Sequence, residues 1–195
     1  MNIDFIIVGG SPGNGKTTLS AMLHRHFQSP YFEFGWIPEF RMLAPSLRIS
    51  QREEEQLSFE NLVLVAKNYR KHGFKHVILT DLDDARMLDI PRVFAGYRYI
   101  ILTLYSDKDE IIKNRILGRD NGNTFKDWQQ SVRTNALIKK RKLLPNEYRI
   151  LNSGDDPNPV LQHILSILDS HVPATSDEPS GLQRDDFFSY IDDNL

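Results

Sequence analysis

Residues 5–27 read FIIVGGSPGNGKTTLSAMLHRHF, and the order of their parts decides the fold: an apolar run, a glycine-rich loop, then an amphipathic segment. Ile3–Val8 is a short apolar run ending in glycines, the pattern of a buried strand. From Lys16 to Phe27 the apolar residues Leu19, Leu23 and Phe27 recur every fourth position, which predicts a helix with one apolar stripe. Between them, Gly10-Ser11-Pro12-Gly13-Asn14-Gly15-Lys16-Thr17 fits G-x-x-x-x-G-K-[ST]. The glycines let the backbone turn through positive φ and approach an anion closely. Successive N–H groups then form a nest, and the helix turns its positive end to the same anion. In this pattern Lys16 reaches the β- and γ-phosphates of a nucleotide and Thr17 offers its hydroxyl to Mg²⁺. The expected cofactor-binding stretch is therefore Gly10 to Thr18. A plain strand-to-helix turn with a chance Lys-Thr is the bland alternative, and it leaves the required order of strand, loop and helix unexplained.

The rest of the chain repeats the alternation of strand and helix. YFEFGWIPEFRMLAP (residues 31–45) predicts a short strand followed by an irregular segment broken by Gly35 and Pro38. Residues 51–72 predict a long helix, with Leu57, Val65 and Tyr69 among its apolar residues and Gly73 as its C-terminal stop. KHVILT (75–80) and YRYIILTLY (97–105) read as strands. A helix follows from SDKDEIIKNRILGRD (106–120), with Asp107 and Glu110 spaced as a capping box. GRDNGNT (118–124) is a polar loop, residues 125–142 a helix, YRIL (148–151) a last strand and VLQHILSILD (160–169) a closing helix. Strands alternating with helices predict a parallel sheet covered on both faces, with ligands at the carboxyl ends of the strands. The opening loop, the DLDD after the third strand and the NSGDD after the last all fall at such ends.

Composition narrows the function classes. The length suits one α/β domain, read as residues 1–171. With 24 Lys and Arg against 26 Asp and Glu in 195 residues the chain is nearly neutral, which disfavours a nucleic-acid or membrane grip. Residues 171–195 carry six acids and one base; they predict a disordered acidic tail from residue 172 on a mildly basic body. The chain has no cysteine, so disulfides and thiolate zinc sites are excluded. The N-terminus lacks a secretory pattern and no apolar run is long enough to span a bilayer, so a cytoplasmic protein is expected. An N-K-x-D guanine motif and a D-x-x-G switch are absent from the sequence.

On these residues the chain resembles the P-loop small-molecule kinases, the group of nucleoside, nucleotide, shikimate and chloramphenicol kinases. The resemblance implies a three-layer α/β/α fold with a five-stranded parallel sheet. It also implies ATP on the loop, a mobile lid bearing arginines (near 118–125 here) and an adenine-side loop after the last strand. The cofactors implied are ATP and Mg²⁺.

Several further residues are candidates. Asp81 and Asp83 end a strand beside the expected phosphate site, where a carboxylate holds Mg²⁺ or orients an acceptor hydroxyl; the alternative is that Asp83 or Asp84 merely caps the next helix. Glu39 and Arg41 fall in the segment that faces the acceptor in the resembled fold, with Trp36 as a stacking wall; the alternative is an exposed ion pair and a core aromatic. Arg119, then Arg115, then Arg133 are candidates to close over the phosphates, against the alternative of a solvated basic face. Asn152 and Gly154 belong to the expected adenine-side loop. The sequence thus predicts an ATP-dependent phosphotransferase for a small hydroxylated acceptor. The competing reading is a nucleotide-binding regulatory or partner-binding protein with little turnover.

Overall fold

A computed structural model describes residues 2–37, 48–119 and 126–173, apart from the side chains of residues 84 and 85. Five strands form one parallel sheet: β1 (Phe5–Gly10), β2 (Tyr31–Glu33), β3 (Val77–Thr80), β4 (Tyr99–Tyr105) and β5 (Glu147–Leu151), in the order β2-β3-β1-β4-β5. The central strand β1 pairs with β3 on one side (Phe5 with Val77) and β4 on the other (Phe5 with Tyr99). Both faces of β1 are buried, so its side chains split by alternation. Phe5 and Ile7 join one core with Phe59, Leu62, Val77 and Ile101. Ile6 and Val8 join the other with Leu19, Leu23, Ile78 and Ile164. This two-sided burial explains why the strand reads as a continuous apolar run.

The helices are α1 (Lys16–Phe27), α2 (Gln51–Lys71), α3 (Asp84–Met87), α4 (Ile90–Val93), α5 (Asp109–Leu117), α6 (Trp128–Lys140) and α7 (Asn158–Ser170). A single 3₁₀ turn, Phe34–Trp36, follows β2. Helix α2 starts at a capping box in which Ser50 and Glu53 exchange backbone and side-chain hydrogen bonds. It buries Phe59, Leu62, Val63 and Ala66, while Leu57 is 50% exposed.

The expected cap at Asp107 is corrected: α5 begins after Lys108 with no side-chain cap. Asp107 instead accepts a hydrogen bond from the Ser153 hydroxyl, a partner 46 residues away that outcompetes the local donor. Two one-turn helices follow β3, and α3 is the next helix that the capping alternative for Asp83 invoked. Residues 38–47, 120–125 and 174–195 lie outside the described residues, and with them Glu39, Arg41, most of the expected lid and most of the expected tail. Among the described residues no helix is long and apolar enough to cross a membrane.

Candidate nucleotide and acceptor site

The loop between β1 and α1 sits at the carboxyl end of the central strand, at the rim of a cleft of about 910 Å³. Two glycines have a steric reason to be there. Gly10 has φ +131°, and a Cβ on it would lie 2.4 Å from the Leu104 carbonyl oxygen. Gly15 has φ +84°, and its Cβ would lie 2.6 Å from Asn152 Nδ2. Helix α1 begins at Gly15 with no side-chain cap and no acid in its first turn. Its first N–H groups therefore face the cleft without a protein acceptor from a cap.

Lys16 is buried, and its Nζ stands 3.6 Å from Asp81 Oδ1. Burial pushes the Lys16 ammonium below its ordinary value; Asp81 opposes that shift and the charge of Arg119 adds to it. A cation held in this way gains most from a further anion. Asp81 itself has φ +65°, a left-handed backbone that a short polar side chain tolerates better than most. Behind it, the Thr80 hydroxyl donates to the Val8 carbonyl at 2.8 Å and locks β3 to β1.

Glu33, at the end of β2, also lines the cleft and interacts electrostatically with Lys16. The Tyr31 hydroxyl donates to it, and burial together with that carboxylate raises the phenol's pKa. Sequence reading named Asp81, Asp83 and Glu39 as carboxylates for an acceptor hydroxyl, of which Glu39 lies outside the described residues, and did not name Glu33, which lines the cleft. The available signal was its position at the carboxyl end of a strand next to β3.

The arginines divide. Arg119 lines the cleft within electrostatic reach of Lys16. Arg115 also lines it, but its guanidinium is engaged: it donates to the carbonyls of Asn152 (3.0 Å), Gly13 (3.4 Å) and Gly154. Arg133 is exposed on α6 and is not among the residues lining the cleft. Asp83 points elsewhere as well. Its carboxylate accepts from the Arg86 backbone N–H at 2.7 Å and from the Arg86 guanidinium, at the start of α3. Arg86 is 2% exposed; it also reaches Glu55 at 3.0 Å and lies 5.2 Å from the Phe34 ring centroid. Trp36 is 57% exposed and meets Tyr31 edge-on at 5.2 Å.

Asn152 and Gly154 also line the cleft. The Asn152 amide donates to the Asn14 carbonyl at 2.8 Å, so the loop after β5 is bonded directly to the glycine-rich loop. Ser11, Asn14, Ser106 and Asn135 complete a buried polar layer beneath. Sequence reading missed Ser106 and Asn135, because nothing local marks a buried amide that meets its partner across the sheet.

The five-stranded parallel sheet covered by helices on both sides is a fold that the chain shares with solved P-loop kinases. The chain is similar to the solved structure of a sugar kinase from Janibacter, with a TM-score of 0.60 at 17% identity, covering 91% of this chain and 99% of that one. It is similar to an APS kinase from Mycobacterium tuberculosis solved with AMPPNP and APS (TM-score 0.55, 14% identity, 87% and 99% covered). It is also similar to a thymidylate kinase from Candida albicans (TM-score 0.58, 14% identity, 87% and 92% covered). No family model matches the chain, and no curated protein matches it in sequence.

Proposed function

We propose that the protein is an ATP-dependent phosphotransferase acting on a small hydroxylated acceptor. The observation that carries this reading is the buried Lys16, held 3.6 Å from Asp81 at the floor of a cleft that Arg119 and Glu33 also line. The uncapped start of α1, the two sterically required glycines and an ammonium that burial pushes below its ordinary value despite Asp81 fit a nucleotide's phosphates. Solved relatives in fold are named as kinases of sugars, APS and thymidylate, and one was solved with AMPPNP.

In this reading Gly10 to Thr18 hold the phosphates through backbone N–H groups and Lys16. Thr17 and Asp81 are the residues placed to hold Mg²⁺, and Asn152 and Gly154 lie on the base side. When bound, Mg·ATP supplies the transferable phosphoryl group. Asp81 and Glu33 flank the phosphate end of the cleft; Glu33, on the neighbouring strand, is placed to accept the proton of an acceptor hydroxyl. Arg119 would offset the negative charge on the phosphate oxygens during transfer. Such chemistry depends mainly on positioning and electrostatics rather than on a covalent intermediate.

The test is ATP consumption measured over a panel of nucleosides, sugars, nucleotides and shikimate-like acids. Turnover that rises with one acceptor class supports the proposal. Tight ATP binding with no acceptor-dependent turnover would favour a regulatory nucleotide-binding protein instead. Lys16→Ala is expected to abolish turnover and weaken ATP binding while leaving the circular dichroism spectrum unchanged; wild-type affinity and activity would remove the site from the cleft. The carboxylates should separate kinetically. Asp81→Asn should shift the Mg²⁺ dependence with every acceptor, whereas Glu33→Gln should spare ATP binding and lower only acceptor-dependent turnover. Normal kinetics from Glu33→Gln would return the acceptor role to another carboxylate.

A further inference from the structure

The glycine-rich loop is held from behind by an amide that belongs to neither the loop nor the cleft. Asn135 lies on α6 and is 1% exposed. Its Nδ2 donates to the Ser106 carbonyl at 2.8 Å, and its Oδ1 accepts from the Ser106 N–H at 2.9 Å. This two-way pairing with one backbone residue leaves no choice in the orientation of the amide. The Oδ1 therefore faces the loop, where it also accepts from Asn14 Nδ2 at 3.1 Å.

Asn14 is fully buried, and its two amide hydrogens are both used: one on Asn135, the other on Ser11 Oγ at 2.8 Å. Its orientation is thus inherited from Asn135. Its Oδ1 has no hydrogen-bond partner among the described residues, so the two donor bonds alone settle which way the amide turns. The loop backbone is gripped at two adjacent points as well: Asn152 Nδ2 on the Asn14 carbonyl and Arg115 on the Gly13 carbonyl. Arg115 belongs to α5 and Asn135 to α6, the helices on either side of residues 118–127.

We infer that Asn135 is a positioning residue that sets the conformation of the glycine-rich loop through Asn14. It touches no ligand. It acts by holding the backbone N–H groups of residues 13–18 in the geometry an anion needs before the anion arrives, which lowers the reorganisation that binding requires. Truncating it leaves the Ser106 N–H and carbonyl and one Asn14 hydrogen without partners in a dry layer, a loss concentrated next to the loop. The part of this inference that concerns ligand affinity rests on the nucleotide-site reading proposed above; the part that concerns loop order does not.

The experiment has two arms on the full-length chain. In the first, without nucleotide, amide hydrogen exchange is followed over residues 11–18 in the wild type and in Asn135→Ala, with residues 160–168 of α7 as the internal reference. Exchange of the loop is expected to rise about tenfold relative to that reference. Equal exchange, or a rise of the same size in both regions, overturns the inference by showing a merely structural role.

In the second arm AMPPNP binding is measured for the wild type, Asn135→Ala, Asn14→Ala and the double variant. Each single variant should weaken binding about tenfold, and the double variant should be little worse than either, because both remove the same link. Additive losses, or full affinity in folded Asn135→Ala, overturn the inference. Should Asn135→Ala fail to fold, Asn14→Ala carries both arms, since it breaks the same link and leaves the Asn135–Ser106 pairing intact. A wild type that does not bind AMPPNP sinks the nucleotide-site proposal instead, and the exchange arm still decides the role of Asn135.

Discussion

Arg119→Ala lowers kcat by about 10³-fold, the lower end of the range for arginines that stabilise a moving phosphoryl group, and weakens ATP binding far less. The expectation follows from where the side chain stands. Arg119 lines the cleft and adds to the electrostatic pressure on the buried Lys16, so its charge bears on the same volume. Arg115, one turn earlier, is already committed to three backbone carbonyls and has a clamping part instead. Steady-state kinetics with ATP varied, alongside direct AMPPNP binding, separates the two effects. A variant that lost only nucleotide affinity would make Arg119 a ground-state anchor and leave the reaction without an identified cation on that side.

The second large effect is on stability. Glu147, at the start of β5, is buried and receives Arg141 in a two-pronged pair, Nη1 to Oε2 and Nη2 to Oε1, both 2.7 Å. The Leu144 N–H adds a third bond at 2.7 Å. The side chains of Arg141 and Glu147 are 7% and 0% exposed, so solvent screens the pair little. Arg141→Met removes one partner and strands a buried carboxylate, at a cost of about 3–5 kcal/mol. Burial by itself would raise the Glu147 pKa, but the bonds from Arg141, Leu144 and Thr103 hold it below its ordinary value of 4.5.

The pH dependence follows with a definite sign. In the wild type the contribution of Glu147 is fully present above pH 4.5 and is lost as the pH falls through the lowered folded value. In Arg141→Met burial acts unopposed by the arginine, so protonation relieves the folded state. The stability gap between the two proteins should therefore narrow as the pH is lowered from 7 to 4. Urea unfolding at both pH values checks this; a gap that is small at pH 7 would show that the pair contributes little.

What could be read in advance was whatever physics writes locally. The P-loop was legible because phosphate binding needs glycine, lysine and threonine at fixed spacing between a strand and a helix. The central strands were legible because burial on both faces demands unbroken apolar runs. Two similar short patterns had different fates for a physical reason. Ser50 and Glu53 form a capping box on an exposed helix start, where nothing competes. Asp107 and Glu110 have the same spacing, but Asp107 lies against Ser153 and takes that partner. The same limit hid Glu33, whose place in the cleft depends on β2 joining the sheet beside β3. It also hid Arg86, whose partners beyond the local Asp83 are Glu55 from α2 and Phe34 from the 3₁₀ turn. Asn135 was invisible for the plainest reason, since an amide in mid-helix carries no pattern until its partner 121 residues away is known.

The distances along the chain between the loop and its supports also impose a timetable. The glycine-rich loop is made well before its supports, since Asn135 and Asn152 follow 121 and 138 residues after Asn14. A nascent chain that ends before Ser106 has the complete motif and its internal Asn14–Ser11 bond, but none of the bonds from Arg115, Asn135 and Asn152 that hold the loop from outside. Domains acquire such long-range contacts late, after the local helices have formed. On the nucleotide-site reading proposed above, the ready-made shape of the loop is therefore a late product of folding rather than a property of the motif alone.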